Sequence, residues 1–172
     1  QYVSGLHVHV GMESPEACMA ALEAILPWLP LVLALSANSP YLSGEDTGLA
    51  SARAEILALL PRSGAPPVFA SYEDWERFVE RLVELGLADE ITRVWWDVRP
   101  HPRFGTLEIR IADQPTRLQT TSEIATLLQA MASRLDRGEP ADRGLYAQNR
   151  WAALRFGRKA ELVHPDGARL VS

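Results

Sequence analysis

The chain has 172 residues, of which 47% are hydrophobic and 23% are charged, and its formal net charge is −5. This is ordinary globular composition and most naturally forms one domain, while the negative charge argues against a general nucleic-acid-binding surface. The one cysteine, Cys18, excludes an intrachain disulfide framework. It lies in an apolar run, so we expect a buried thiol rather than a nucleophile, and a reducing, cytoplasmic setting.

The first predicted element is a β-strand over residues 3–11, with His7 and His9 on one side and Val8 and Val10 on the other. The chain does not begin with Met and reaches this strand almost at once. We therefore expect it to be a piece of a longer protein that lacks an N-terminal part.

A helix is predicted next, because Ser14 has the preferred N-cap type and Pro15 suits the first helical position. It runs to about Pro27, and a second apolar helical stretch follows through Ala37. Because Pro27 and Pro30 interrupt this run, we interpret it as buried helix rather than as a membrane span.

Further along the chain, "NSPYLSGEDTG" predicts a polar loop, and "LASARAEILALLP" predicts a helix that Pro61 ends. "SYEDWERFVERLVELGLAD" predicts an amphipathic helix with Ser71 as its N-cap and Gly86 at its C-terminal end.

The last third of the sequence mixes strands and helices. "TRVWWDVRP" and "GTLEIRIAD" predict an antiparallel hairpin. A helix capped by Thr121 or Ser122 follows, then a helix over "DRGLYAQNRWAALRFG", and then a hairpin with Pro165, Asp166 and Gly167 in its turn. Without strict βαβ alternation, the fold class is α+β with an antiparallel sheet.

Acidic and basic side chains alternate with apolar ones on the two predicted hairpin strands. Glu108 and Arg110 share one face, as do Asp97 and Arg99. A carboxylate can hold Mg²⁺ and a guanidinium can bind phosphate, so Glu108 and Arg110 suit phosphoryl transfer. The alternative is a set of cross-strand ion pairs. The sequence contains no Walker A motif and no Rossmann fingerprint.

His7 and His9 form a His-x-His pair whose imidazoles share a strand face, about 6–7 Å apart along the chain. Imidazoles are natural ligands of divalent transition metals, whereas Mg²⁺ prefers carboxylates. The alternative is a surface or core-edge pair, and the spacing alone leaves both interpretations open.

Two further segments carry polar side chains that could serve a ligand. Arg53 follows the polar loop, and loops often hold substrates. Asn149, Trp151 and Arg155 lie on or near one predicted helix, where Trp151 and Arg155 share a face. The alternatives are a plain connecting loop and a surface helix whose arginine packs over the tryptophan.

Four stretches in order resemble a known family: "GLHVHVG", "LSANSPYLSGEDTGLASAR", "WWDVRPHPRFGTLEIRIAD" and "NRWAALRFGRKAELV". Together they are similar to bacterial carboxylate–amine ligases of the glutamate–cysteine ligase family, the YbdK type. The resemblance implies that residues 1–172 are the C-terminal part of a single catalytic domain. It also implies a partial glutamine synthetase-like fold, a curved antiparallel sheet with helices on its outer face.

The implied reaction is ATP-dependent ligation. A carboxylate, classically the γ-carboxylate of glutamate, is phosphorylated, and an amine, classically that of cysteine, attacks the acyl phosphate. The implied cofactors are ATP and Mg²⁺, or Mn²⁺. The residues matched to the family motifs are His7 and Glu108 as metal ligands, Arg110 and Arg155 as catalytic cations, Arg53, Asn149 and Trp151 as substrate-binding residues, and His9 and Asp97 as further candidates.

The family's N-terminal part, with its additional acidic metal ligands, is absent from this sequence. We therefore expect a missing segment or another chain to complete the site, with small-molecule substrates and a homo-oligomer as candidate partners but no nucleic acid or membrane. Two alternative functions are a metal-dependent γ-glutamyl-amide hydrolase and a non-catalytic metabolite-binding subunit.

Overall fold

The computed structural model describes residues 3–89, 93–134, 140–164, 166–167 and 169–171. The elements follow in the order β1 (Val8–Gly11), α1 (Pro15–Ile25), α2 (Leu29–Ser36), β2 (Tyr41–Leu42), β3 (Glu45–Asp46), α3 (Ala52–Ala58), α4 (Tyr72–Glu84), β4 (Val98–His101), β5 (Thr106–Ile109), α5 (Leu118–Arg134), α6 (Arg143–Phe156), β6 (Glu161–Val163) and β7 (Arg169–Val171). The predicted α+β class with antiparallel strand pairing is confirmed.

The central sheet has three strands in the order β1–β5–β4, and both pairings are antiparallel. The register places His9 and Arg99 directly opposite Glu108, on either side of it. The predicted hairpin of β4 and β5 is therefore confirmed. Its turn is a 3-10 helix, Pro102–Phe104, followed by Gly105 at φ 60°, a left-handed conformation that glycine adopts without a steric penalty.

One face of this sheet is apolar and forms the core. Val98, Leu107 and Ile109 are fully buried there, and α1 and α5 pack against the strands. α1 contributes Leu22 and Ile25 to the same core. Full burial of a side chain of this size stabilises the fold by about 1.5–3 kcal/mol. The helices thus hold the sheet from one side and leave its other face to polar residues.

The long apolar stretch Pro15–Ser36 is sufficiently long and apolar to cross a membrane by length and composition. In the structure, 61% of its apolar window is buried inside the fold. It is interrupted by a 3-10 turn at Leu26–Trp28, and Cys18 is 4% exposed. The interpretation of this stretch as buried helices and of Cys18 as a buried thiol is confirmed.

Helix starts follow the sequence signals at two of three predicted sites. The hydroxyl of Ser14 accepts from the Ala17 N–H, and that of Ser71 accepts from the Asp74 N–H. The predicted cap of α5 at Thr121 or Ser122 is wrong, because the helix already begins at Leu118. Thr121 instead donates its hydroxyl to the Arg117 carbonyl, a local bond that threonine makes inside helices.

Element lengths differ from the predictions in the first half of the chain. Of the strand predicted over residues 3–11, only Val8–Gly11 forms a β-ladder, which pairs with β5. The polar loop contains a small hairpin, β2–β3, and the next helix is only Ala52–Ala58. The C-terminal hairpin, β6–β7, is confirmed, although Pro165 of its predicted turn lies outside the described residues.

Candidate active site

The second face of the central sheet carries charged and imidazole side chains in two rows. His9, Glu108 and Arg99 stand side by side across β1, β5 and β4. In the next row Arg110 lies beside His7, with 3.3 Å between its Nη1 and the imidazole Nδ1. Alternation along the strands places both rows opposite the buried Leu107 and Ile109.

Glu108 is the centre of this face and is 3% exposed. Arg99 Nε donates to its Oε2 at 2.7 Å, and Arg110 Nη1 donates to its Oε1 at 2.6 Å. Burial opposes ionisation, but the hydrogen bond with His7 and the charges of Arg110 and Arg99 outweigh it. The pKa of Glu108 is therefore held well below its usual range, and the group is a carboxylate at neutral pH.

The two histidines flank the same carboxylate oxygen. His7 Nδ1 lies 3.3 Å and His9 Nε2 lies 3.7 Å from Oε1 of Glu108. In one tautomer His7 donates from Nδ1 to Glu108, which leaves Nε2 with a free lone pair; in the other, Nδ1 accepts from Arg110. His9 bonds Thr106 Oγ1 through Nδ1 at 2.9 Å, and burial lowers its pKa.

Asp97 is engaged by helix α6 rather than by the hairpin. Arg150 Nε donates to its Oδ2 at 2.7 Å, and the Tyr146 hydroxyl donates to the same atom at 2.8 Å. Burial raises the pKa of Tyr146, and the charge of Asp97 adds to this shift. The alternative of cross-strand ion pairs is thus correct for Arg99 and Glu108, whereas the ion-pair partner of the Asp97 carboxylate is Arg150.

Arg53 is buried at the end of the sheet. Its Nη1 donates to the Ile111 carbonyl at 3.0 Å and its Nη2 to the Arg110 carbonyl at 2.8 Å. A Cβ on Gly5 would lie 2.2 Å from Arg53 Nη2, so this position accepts only glycine without rearrangement. Arg53 also borders a cavity of about 390 Å³, which keeps it within reach of a small ligand.

Of the three predicted residues of α6, Asn149 and Arg155 contact other parts of the chain and Trp151 contacts its own helix. Asn149 makes two hydrogen bonds with the backbone of Val163, one as donor and one as acceptor. Trp151 is 52% exposed and packs edge-on against Phe156, and Arg155 donates to the Gly48 carbonyl. The structure therefore groups His7, His9, Glu108 and Arg110 into one cluster and places the α6 residues in separate contacts.

Sequence reasoning missed Asp113, which connects the polar loop to the end of the sheet. Its carboxylate accepts hydrogen bonds from Ser39 Oγ at 2.7 Å, Asn38 N–H at 2.9 Å and Ser51 Oγ at 2.9 Å. Arg53 Nη1 lies 3.6 Å away. The available signal was an acid as the last residue of the predicted strand "GTLEIRIAD".

The donors on the polar face fit a divalent metal by type but not by number. His7 and Glu108 offer one imidazole nitrogen and one carboxylate. Within the described parts of the chain, no three His, Cys, Asp or Glu side chains form a group that could hold a metal. Any metal bound at this face would need further ligands beyond these residues.

Comparisons with known proteins find matches over almost the whole chain. The model of glutamate–cysteine ligase family 2 matches residues 1–171. A Rubrobacter xylanophilus protein named "Putative glutamate--cysteine ligase 2-3" is 46% identical over 172 residues, covering 100% of this chain and 47% of the relative. A Haloferax volcanii protein named "Glutamate--cysteine ligase" is 39% identical over 176 residues, covering 98% of this chain and 49% of the relative.

The chain belongs to glutamate–cysteine ligase family 2. It spans about half the length of the curated relatives that it matches.

Proposed function

We propose that this chain carries part of the catalytic site of an ATP-dependent carboxylate–amine ligase. The observation that carries the proposal is the pair Glu108 and Arg110 on the polar face of the sheet, beside His7, in a chain of this family. The relatives' names suggest glutamate and cysteine as the carboxylate and amine substrates.

The charge balance of the polar face favours an anionic ligand. Among the described residues, Arg99 and Arg110 share the one carboxylate of Glu108, whereas Arg53 pairs with Asp113 and Arg150 with Asp97. Arg110 is the most exposed of the four guanidiniums at 14%. An incoming phosphate would therefore be attracted to Arg110, whose planar donors suit phosphate oxygens.

Glu108 supplies the complementary part of the site. Its lowered pKa keeps it ionised, and ionised carboxylates are the ligands that Mg²⁺ and Mn²⁺ accept. Glu108 and His7 would hold the metal through a carboxylate oxygen and an imidazole nitrogen. The metal would neutralise the charge of the ATP phosphates. Further ligands would come from outside this chain, from a missing N-terminal segment or from another subunit of a homo-oligomer.

In the proposed reaction the substrate carboxylate attacks the γ-phosphorus of ATP, and the bond to the leaving ADP oxygen breaks. Arg110 binds the equatorial oxygens of the phosphoryl group as it is transferred. The amine then attacks the carbonyl carbon of the acyl phosphate, and inorganic phosphate leaves. Arg53, Asn149 and Trp151 remain candidates for binding the other substrate groups, Arg155 remains a candidate catalytic cation, and His9 and Asp97 remain further candidates.

The test is ADP release by the protein in the full length that its gene encodes, with Mg²⁺, glutamate and a panel of amines. We expect Glu108→Ala and Arg110→Ala each to reduce turnover by orders of magnitude. Glu80→Ala and Arg81→Ala, on the exposed side of α4, are the matched controls and should leave turnover unchanged.

Wild-type turnover in either site variant would disprove the assignment of these residues. Amide hydrolysis without ATP would favour the hydrolase instead. ATP binding without ADP release, with every amine of the panel, would favour the alternative that the chain is a non-catalytic metabolite-binding subunit.

A further inference from the structure

The turn between β4 and β5 builds a stack of aromatic rings at the end of the polar face. Phe104 is 60% exposed and lies parallel to the His101 ring, with 4.5 Å between the centroids and 9° between the planes. His9 meets both rings edge-on, at 5.3 Å from His101 and 5.6 Å from Phe104. An exposed phenylalanine held in this way is a fixed, flat apolar surface.

This aromatic stack adjoins the candidate active site through His9. The His9 Nδ1 bonds Thr106, and its Nε2 lies 3.7 Å from Glu108 Oε1. Arg110 Nη1 lies 2.6 Å from the same Oε1, so Glu108 stands between the His9 ring and the Arg110 guanidinium. The aromatic stack and the proposed phosphate-binding group therefore lie along one face of the sheet.

The neighbouring side chain adds a second planar group. The guanidinium carbon of Arg103 stands 5.9 Å from the centroid of the Phe104 ring, and Arg103 is exposed. Nucleobases stack on phenylalanine and histidine rings and on arginine planes, because every base presents a π face. The stack therefore offers an aromatic surface for a base on the same face of the sheet as Arg110, the proposed phosphate-binding residue.

We propose that Phe104, supported by His101, stacks the base of the nucleotide whose terminal phosphate Arg110 binds. This inference rests on the proposed function and adds the position of the nucleotide along the strand, with its base at the β4–β5 turn and its γ-phosphate toward Arg110. His101 acts as a positioning residue, since it contacts Phe104 and holds the ring. Because stacking reads no base edge, ATP and GTP both bind through it.

The test separates the base from the phosphates by comparing the binding of Mg·ATP with that of Mg·tripolyphosphate, which has no base. Both are measured by calorimetry on the protein in the full length that its gene encodes. We expect ATP to bind the wild type more tightly than tripolyphosphate. Phe104→Ala should weaken ATP binding about 10-fold and leave tripolyphosphate binding unchanged.

Three further variants control the comparison. Phe104→Tyr retains the ring and should keep the preference for ATP. Leu59→Ala removes another exposed apolar side chain, distant in sequence, and should change the binding of neither ligand. Arg110→Ala should weaken ATP and tripolyphosphate alike, because it removes the phosphate contact.

The outcomes distinguish this inference from the proposed function. An undiminished preference for ATP in Phe104→Ala, or an equal loss for both ligands, overturns the stacking role and leaves the phosphate site standing. If the wild type binds neither ligand, or if Arg110→Ala changes neither, the proposed function and this inference fail together.

Discussion

At the scale of single residues, the buried thiol of Cys18 predicts a loss of stability in alkali. Burial raises the pKa of the Cys18 thiol from its ordinary value of 9.0 to about 12. The folded chain keeps this proton above pH 9 while the unfolded chain loses it. The contribution is therefore complete below pH 9 and declines by about 1.4 kcal/mol per pH unit as the pH rises toward 12.

Urea unfolding at pH 8, 9 and 10 measures this effect, and Cys18→Ala is the comparison. The variant should begin with a lower stability, since it leaves a small cavity, and should lose less free energy of unfolding between pH 9 and 10. The pKa values of Tyr72 and Tyr146 are also raised, but both proteins contain these two groups. The comparison is restricted to pH values up to 10, and the difference in slope between the two proteins then measures the effect of the thiol. Equal slopes in the two proteins would contradict the assignment.

The same scale shows what alternation in a strand can and cannot predict. The period of two correctly placed Leu107 and Ile109 in the core and Glu108 and Arg110 on the other face. It could not identify Arg150 as the partner of Asp97, because the two are 53 residues apart and meet only when α6 packs beside the sheet. Long-range partners depend on tertiary packing, which no local pattern contains.

At the scale of elements, the helix caps offer a matched pair of predictions. Ser14 caps α1 through its hydroxyl, so Ser14→Ala should cost about 1 kcal/mol of stability. Thr121 lies inside α5, where its hydroxyl donates to the Arg117 carbonyl. Thr121→Ala should therefore be neutral or slightly stabilising, because alanine has the higher helix propensity. The urea midpoints of the two variants measure these effects. A larger loss of stability in Thr121→Ala than in Ser14→Ala would support the helix cap that the sequence predicted at Thr121.

The predicted strands extend beyond the observed ones, because a strand also needs a neighbouring segment with which to pair. The segment before β4 alternates like a strand, but its Asp97 N–H donates to the Gly64 carbonyl at 2.7 Å, in a loop, while Trp96 makes an isolated bridge with Gly64. A strand ends where its ladder ends, and the ladder is decided by a neighbour elsewhere in the sequence. Caps and turns, which are local, were predicted more accurately than strand lengths.

At the scale of the whole molecule, the four stretches that resemble the family were the strongest signal of the candidate site. They correctly indicated the family, which the match over residues 1–171 shows. They did not indicate how each matched side chain is used within this chain. Asn149, for example, bonds the backbone of Val163 and thereby fixes β6 against α6. A motif match places a residue near a site, while its hydrogen bonds decide which atoms remain free for a ligand.

The connection between α6 and the sheet yields the last prediction. Arg150 Nε donates to Asp97 at 2.7 Å and its Nη2 donates to the Ala54 carbonyl at 3.1 Å, so one side chain joins α6, the segment before β4 and α3. Arg150→Met would leave the buried Asp97 carboxylate with Tyr146 as its remaining hydrogen-bond partner among those described. Removal of one partner of a buried ion pair costs about 3–5 kcal/mol, which urea unfolding should detect as a lower midpoint.

Two comparisons make this prediction specific to the buried pair. Arg77→Ala removes an exposed arginine that pairs with Asp74 on α4, and it should change stability by less than about 0.5 kcal/mol, because exposed ion pairs contribute little. The double variant Asp97→Asn/Arg150→Met removes both charges and should lose less free energy than the sum of the two single variants, since no unpaired charge remains buried. An additive double variant, or an Arg150→Met loss as small as that of Arg77→Ala, would show that the Arg150–Asp97 ion pair does not hold α6 to the sheet.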